Sequence, residues 1–213
     1  MEVFFPKDIT KRKYVDDFGY THEVEYWGHS PVSDKKFDRN GNVIGEGIYQ
    51  NGTYMGHREY FSDSEGFRHI AEYDDHDRPL SDKKFDKGLL VGEGIYKDGI
   101  FMGHKEYFVD DKGYCHEAEY DDHDRPVSDR KFDDEGNLIG RGFYRDGKYV
   151  GRREYSVDKD GYRHELEFDA EGKPLSDRTF DDKGRPVAEE SLKKTFKKLK
   201  EKVVTSSRRV NKR

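Results

Sequence analysis

Two short clusters, Asp74-Asp75-His76-Asp77 and Asp121-Asp122-His123-Asp124, carry the residue types that hold divalent cations. Carboxylate oxygens and imidazole nitrogens are metal ligands, and three on neighbouring residues can converge on one ion. The matching positions elsewhere read Trp27-Gly28-His29-Ser30 and Asp169-Ala170-Glu171-Gly172, so the ligand set does not recur. Aspartate between strands also favours turns, because its side chain bonds its own backbone. The expected reading is a solvated turn, with no metal and no cofactor assigned. Residues 156–167 approach a calcium loop through Asp158, Asp160, Gly161 and Glu167. Serine at its first position, Ser156, and the lack of flanking helices argue against calcium there.

Four histidines, His22, His69, His116 and His164, recur at one place in their surroundings. In register they are expected to form a packing and hydrogen-bonding ladder. Acid would then loosen it by placing like charges near one another. Cys115 is the only cysteine, so the chain can form no internal disulfide and no cysteine-based zinc site. It is read as a surface thiol, suited to a reducing compartment. The Gly-x-Gly pieces enter strands rather than helix N-termini, which denies them the context of a phosphate loop. No Ser/His/Asp order, Cys/His nucleophile or isolated carboxylate pair stands out. The expected class is non-enzymatic, with no small-molecule substrate.

The elements that place these residues follow from repetition. Lys35-Lys36-Phe37-Asp38 returns as Lys83-Lys84-Phe85-Asp86, Arg130-Lys131-Phe132-Asp133 and Arg178-Thr179-Phe180-Asp181, with the phenylalanines 48, 47 and 48 residues apart. Ile44-Gly45-Glu46-Gly47-Ile48-Tyr49 matches Val91-Gly92-Glu93-Gly94-Ile95-Tyr96 and Ile139-Gly140-Arg141-Gly142-Phe143-Tyr144. Aromatics also recur every 11 to 13 residues from Tyr14 to Phe180, and turn signals such as Asn51-Gly52, Asp98-Gly99 and Asp146-Gly147 lie between them. Asn-Gly and Asp-Gly between β-prone runs mark hairpins, because glycine accepts the positive φ of a tight turn. The fold expected is all-β: an elongated antiparallel meander of about fifteen short strands. Its boundaries are an N-terminal segment 1–13, a hairpin array 14–185, a basic amphipathic helix 186–204 and a basic disordered tail 205–213.

Alternation assigns faces. Tyr20-His22-Val24-Tyr26 and its counterparts lie on one side, with Glu23 and Glu25 on the other. A second strand is expected to put Tyr54-Gly56-Arg58-Tyr60, Phe101-Gly103-Lys105-Tyr107 and Tyr149-Gly151-Arg153-Tyr155 each on one face. Its mid-strand glycine would leave room for a neighbouring ring. Tyr54, Tyr60, Phe101, Tyr107, Tyr149 and Tyr155 are accordingly the candidate partner-binding residues.

Composition fits a thin sheet. Hydrophobic residues are 31% and charged residues 40%, yet aromatics reach 14%, which a disordered chain would lack. Lys193, Lys194, Lys197, Lys198, Lys200, Lys202, Arg208, Arg209, Lys212 and Arg213 make a basic tail against one acid, Glu201, so the body is far more acidic than the net −6. Leu192, Phe196, Leu199 and Val203 space an apolar stripe at helical intervals. That helix is expected to cap the last strand edge or dock to a partner protein, with nucleic acid or an anionic membrane as the lesser options. No apolar run suits a signal peptide or a membrane span, and a cytoplasmic location is expected.

The block Gly45-Glu46-Gly47-Ile48-Tyr49-Gln50-Asn51-Gly52-Thr53-Tyr54-Met55-Gly56 resembles MORN repeats. It is closer to the MORN-like repeats of YwqK-type bacterial antitoxins. The intervening stretches, such as Glu72-Tyr73-Asp74-Asp75-His76-Asp77-Arg78-Pro79-Leu80, look more like YD repeats. The resemblance spans roughly 14–181. It implies a hairpin sheet used for protein contacts, sometimes for dimerisation or membrane association, and it carries over no catalytic residue. The function expected is a non-enzymatic interaction scaffold with a Tyr-rich face. The alternatives are an antitoxin that sequesters a toxic enzyme, or a self-associating component of a large assembly such as a virion, anchored by its tail.

Overall fold

The computed structural model describes residues 9–187. They form fifteen antiparallel strands that follow one another in sequence order within one sheet. The first nine are β1 (Ile9–Val15), β2 (Thr21–Trp27), β3 (Ser30–Phe37), β4 (Val43–Gln50), β5 (Thr53–Ser62), β6 (Arg68–Asp74), β7 (Pro79–Asp86), β8 (Leu89–Lys97) and β9 (Ile100–Val109). The rest are β10 (Cys115–Asp121), β11 (Pro126–Phe132), β12 (Leu138–Arg145), β13 (Lys148–Val157), β14 (Arg163–Asp169) and β15 (Pro174–Phe180). The chain divides into two compact units. One holds the residues up to Phe108 with Glu119–Arg125, the other Val109–Ala118 and the residues from Pro126 on. The expected meander is therefore present, and it starts earlier than the sequence suggests. β1 begins at Ile9, because Arg12 and Tyr14 pair with Val24 and His22. The basic helix and tail assigned to 186–213 lie outside the described residues, apart from Pro186 and Val187. Pro186 bridges to Phe180, and the Val187 N–H donates to the Thr179 carbonyl at 2.8 Å.

Within each unit every substantial strand contact is with a sequence neighbour, so among the described residues no second layer covers either face. Among the described residues the buried apolar side chains are Val24, Ala71 and Ala118, all small. Cross-strand pairs thus replace a core, each contributing about 0.2–1 kcal/mol. Tyr14 stacks on His22 at 4.8 Å, Phe61 on His69 at 4.8 Å and His57 on Tyr73 at 4.7 Å. The outer face of β1 and β2 is tied by Lys11–Glu25 at 2.6 Å and Lys13–Glu23 at 3.0 Å.

Apart from the Gly28-His29 link between β2 and β3, two kinds of turn join the strands. Asn51-Gly52, Lys87-Gly88, Asp98-Gly99 and Asp146-Gly147 each place two successive residues at positive φ, the two-residue hairpin turn that matches strand twist. The wider turns open on an aspartate, at Asp16, Asp38, Asp63, Asp74, Asp110, Asp121, Asp133, Asp158, Asp169 and Asp181. In each the aspartate N–H donates to the carbonyl four residues on and its carbonyl accepts from the N–H three residues on. Except at Asp169, one carboxylate oxygen also accepts from the N–H groups two and four residues ahead, as Asp63 does from Glu65 and Phe67. The aspartate thus satisfies donors that a bare loop would leave to water.

A bulge follows the turn that leads into most odd-numbered strands. In β5 the register runs Ile48 with Gly56 and then Tyr49 with Tyr54, leaving Met55 unpaired. β7 skips Leu80 and β9 skips Met102 in the same way. In the second unit, β13 skips Val150 and β15 skips Leu175. One extra residue reverses the alternation. The expected single face of Tyr54-Gly56-Arg58-Tyr60 is therefore broken. Tyr54 shares a side with His57, to whose Nδ1 its hydroxyl lies at 3.0 Å, while Arg58 and Tyr60 point to the other.

The glycines divide accordingly. Gly56, Gly103 and Gly151 are not seats for a ring. At φ +137, +135 and +148, a Cβ on them would lie 2.1, 2.0 and 2.2 Å from the carbonyl oxygens of Tyr73, Tyr120 and Phe168. The ring seats are Gly47, Gly94 and Gly142, where the rings of Tyr49, Tyr96 and Tyr144 lie 2.9, 2.7 and 3.3 Å from that point.

Candidate functional site

The histidine face carries three equivalent troughs, two in the first unit and one in the second. Each has a floor of paired glycines on β4, β8 or β12, of which Gly45, Gly92 and Gly140 are buried and Gly47, Gly94 and Gly142 lie under a tyrosine ring. The trough of ≈ 560 Å³ over Gly92 and Gly94 is walled by His69, Asp82 and Lys84 on one side. His104, Glu106 and Phe108 form the other wall, and Tyr96 and Phe101 close one end. Its counterparts are the trough of ≈ 580 Å³ over Gly45 and Gly47 and the one of ≈ 620 Å³ over Gly140 and Gly142. In the last, Arg152 stands where the others have His57 and His104.

Each wall histidine is clamped by acids. His69 Nδ1 lies 3.0 Å from Asp82 and its Nε2 lies 3.2 Å from the turn residue Asp63. His22 sits likewise between Asp34 and Asp16, and His116 between Asp129 and Asp110. A lysine completes the cluster. Lys84 Nζ rests 4.0 Å over the Phe67 ring and Lys131 Nζ 4.0 Å over Tyr114, with Lys131 also bonding Asp110 at 2.9 Å. Burial works against the His69 cation, but Asp82 and Asp63 outweigh it, so its pKa is raised above the ordinary 6.5.

That geometry reverses an expectation. The histidines occupy every fourth strand, so neighbours in one unit stand about 19 Å apart at roughly 4.8 Å per strand. This exceeds a Debye length of about 8 Å, and they form separate clusters rather than a ladder. At His69 protonation adds a cation between two carboxylates, which favours the folded state. The fourth cluster is incomplete. Thr179 replaces the lysine and lies 3.3 Å from His164 Nδ1, leaving Asp177 Oδ1 buried without a hydrogen-bond partner among the described residues.

The other sequence candidates resolve into structure. Asp74, Asp75 and His76 do bring ligand atoms within 4.8 Å of one another, as do Asp121, Asp122 and His123. The Asp74 carboxylate, however, already accepts from the His76 and Arg78 N–H groups and from Arg78 Nε at 2.7 Å. Asp121 is used in the same way by His123 and Arg125. The side-chain bonds of Arg78 and Arg125 hold these carboxylates at a pKa of about 2. A guanidinium at that distance opposes a metal cation. Asp77 and Asp124 take the positive φ that glycine fills elsewhere. The proposed calcium set does not converge either. Asp158 serves Asp160, Tyr162 and His164, while Glu167 pairs with Arg153 at 3.2 Å. Cys115 is exposed, as expected.

The six aromatic candidates separate by the bulge. Tyr54, Phe101 and Tyr149 end the troughs on the histidine face, each 38–39% exposed. Tyr60 and Tyr107 stand on the opposite face and donate to Glu46 and Glu93 at 2.8 and 2.9 Å. Tyr155 occupies the same register on β13. Sequence reasoning missed the Asp–His–Asp clamps, whose members lie 6 and 12 or 13 residues from the histidine. The recurrence of Ser-Asp before each Lys/Arg-Lys/Thr-Phe block was the available signal.

No protein-family model matches the chain, and no curated protein matches it. Among the described residues no helix is long and apolar enough to cross a membrane.

Proposed function

We propose that the chain is a non-enzymatic protein-interaction scaffold of MORN-like character, reading its partner with the trough-bearing face. The observation that carries this is the recurrence of one half-exposed ring beside one cationic or imidazole side chain: Tyr54 with His57, Phe101 with His104, Tyr149 with Arg152. Aromatic and arginine side chains are favoured anchors at protein interfaces. A shallow trough open along its length suits a protein segment better than a small substrate, which binds in sites that bury most of its surface. Two equivalent binding stations one repeat apart in the first unit also suit an extended partner, since linked weak contacts multiply.

The test is affinity capture with the full chain and with the triple variant Tyr54→Ser, Phe101→Ser, Tyr149→Ser. Circular dichroism confirms that the variant folds, which half-exposed end rings allow. Loss of a reproducible protein partner in the variant is the expected result. Undiminished capture by the folded variant contradicts the assignment of this face.

A further inference from the structure

The face opposite the troughs is a ladder of charges whose sign alternates from strand to strand. Lys35 on β3 pairs with Glu46 on β4, which pairs with Arg58 on β5. Lys83, Glu93 and Lys105 repeat the order on β7, β8 and β9. In both cases the central carboxylate also accepts from a tyrosine hydroxyl, and Lys105 reaches Glu93 at 3.7 Å. On β11, β12 and β13 the order fails. Arg130 pairs with Arg141, and Arg141 with Arg153, so three guanidinium groups stand directly across from one another.

The outer two have acids at their backs. Arg130 lies 3.6 Å from Glu117, and Arg153 lies 3.9 and 3.2 Å from Glu165 and Glu167. Arg141 is exposed and has no carboxylate partner among the described residues. Its guanidinium and that of Arg153 lie 5.7 and 5.5 Å from the Phe143 ring, which supports the pair without neutralising it. Like charges directly opposite one another in a sheet are destabilising. The sheet tolerates that cost on a chain that is acidic elsewhere.

We propose that Arg130, Arg141 and Arg153 form a docking site for an acidic segment of a partner protein. The two intact ladders show what this register accepts: a carboxylate between two cations, bonded by the neighbouring tyrosine. At β12 the chain withholds its own carboxylate, adds a third cation and leaves the register of Tyr155 without its usual acceptor. A glutamate or aspartate side chain from outside supplies what is missing. An extended acidic segment, with like-facing side chains about 7 Å apart, can engage neighbouring guanidiniums in turn. The inference rests on the protein-interaction reading but uses the opposite face of the sheet, so each can fail alone.

The test is binding of a fluorescein-labelled ten-residue glutamate peptide to the full chain and to Arg141→Glu, by anisotropy at low ionic strength. A ten-nucleotide thymidine strand is run in parallel. Arg141→Glu restores the order of the other ladders, so its melting temperature is expected to hold or rise. The basic tail is the same in both proteins and drops out of the comparison. Peptide affinity is expected to fall about tenfold or more in the variant. An unchanged affinity overturns the proposal. So does tighter binding of the oligonucleotide that is lost on the same substitution, which assigns the site to phosphates. Failure here with aromatic-dependent capture intact leaves the scaffold reading in place.

Discussion

Gly56→Ala is expected to abolish the pairing of β5 with β6, whereas Gly66→Ala leaves the fold intact. Both glycines have positive φ, so both substitutions carry a left-handed cost of about 1–2 kcal/mol. At Gly66 nothing lies within 4 Å of the added carbon. At Gly56 that carbon would sit 2.1 Å from the Tyr73 carbonyl oxygen and 3.0 Å from two Asp74 backbone atoms. Those atoms belong to the β6 backbone, so relief requires strand separation. The total for Gly56→Ala is expected to reach about 4 kcal/mol, in the range reserved for strained backbone and overpacking. Because each strand holds only its neighbours, the loss should spread from the lesion. Denaturant midpoints and amide exchange across β5 and β6 check it. Equal midpoints for the two variants would contradict the bulge geometry.

Acidification gives the second large effect, and its sign differs on the two sides of about pH 5. Asp16, Asp38, Asp63, Asp74, Asp110, Asp121, Asp133, Asp158 and Asp181 all have pKa values lowered from 3.8. At Asp74 and Asp121 the leading cause is the arginine side chain four residues on, and at Asp110 it is Lys131. At Asp63 partial burial opposes ionisation, and the bonds from His69, Phe67 and Glu65 outweigh it. A depressed carboxylate stabilises the fold above its unfolded value and loses that contribution as pH falls through its folded one. The turns should therefore fail together between about pH 4 and pH 2. His69 has the opposite linkage: its raised pKa contributes stability in full below about 6.5 and loses it as pH rises past the folded value. The melting temperature is expected to hold or rise from pH 7 to pH 5 and then fall steeply below pH 4. A fall already under way between pH 7 and pH 5 would contradict the carboxylate clamps.

The meander is legible in the sequence because its turns are written in residues with few other uses. Asn51-Gly52 and Asp98-Gly99 accept two positive φ angles in succession, and the aromatic interval sets the strand length. The bulges are not legible. Nothing in Tyr54-Met55-Gly56 separates a regular strand from one with an extra residue, since the deciding contact is with Tyr73, seventeen or more residues away. That one residue moves Tyr54 to the histidine face while Tyr60 keeps its side, so six aromatics expected on one face divide between two. The acid clamps were hidden for a related reason. Asp63 and Asp82 meet His69 only once two turns and a register are fixed. The arginine row, by contrast, stands in the sequence as one difference, Arg141 where the copies have Glu46 and Glu93.

The measurement that bears most directly on the scaffold reading is a nuclease-treated pull-down with the full-length protein and with a chain ending at Pro186, read by mass spectrometry. Recovery of the same protein partner by both is the predicted result, because the rings and charges that would read a partner lie on β1 to β15. Recovery that vanishes with residues 187–213 would contradict it and assign recognition to the basic C-terminal segment.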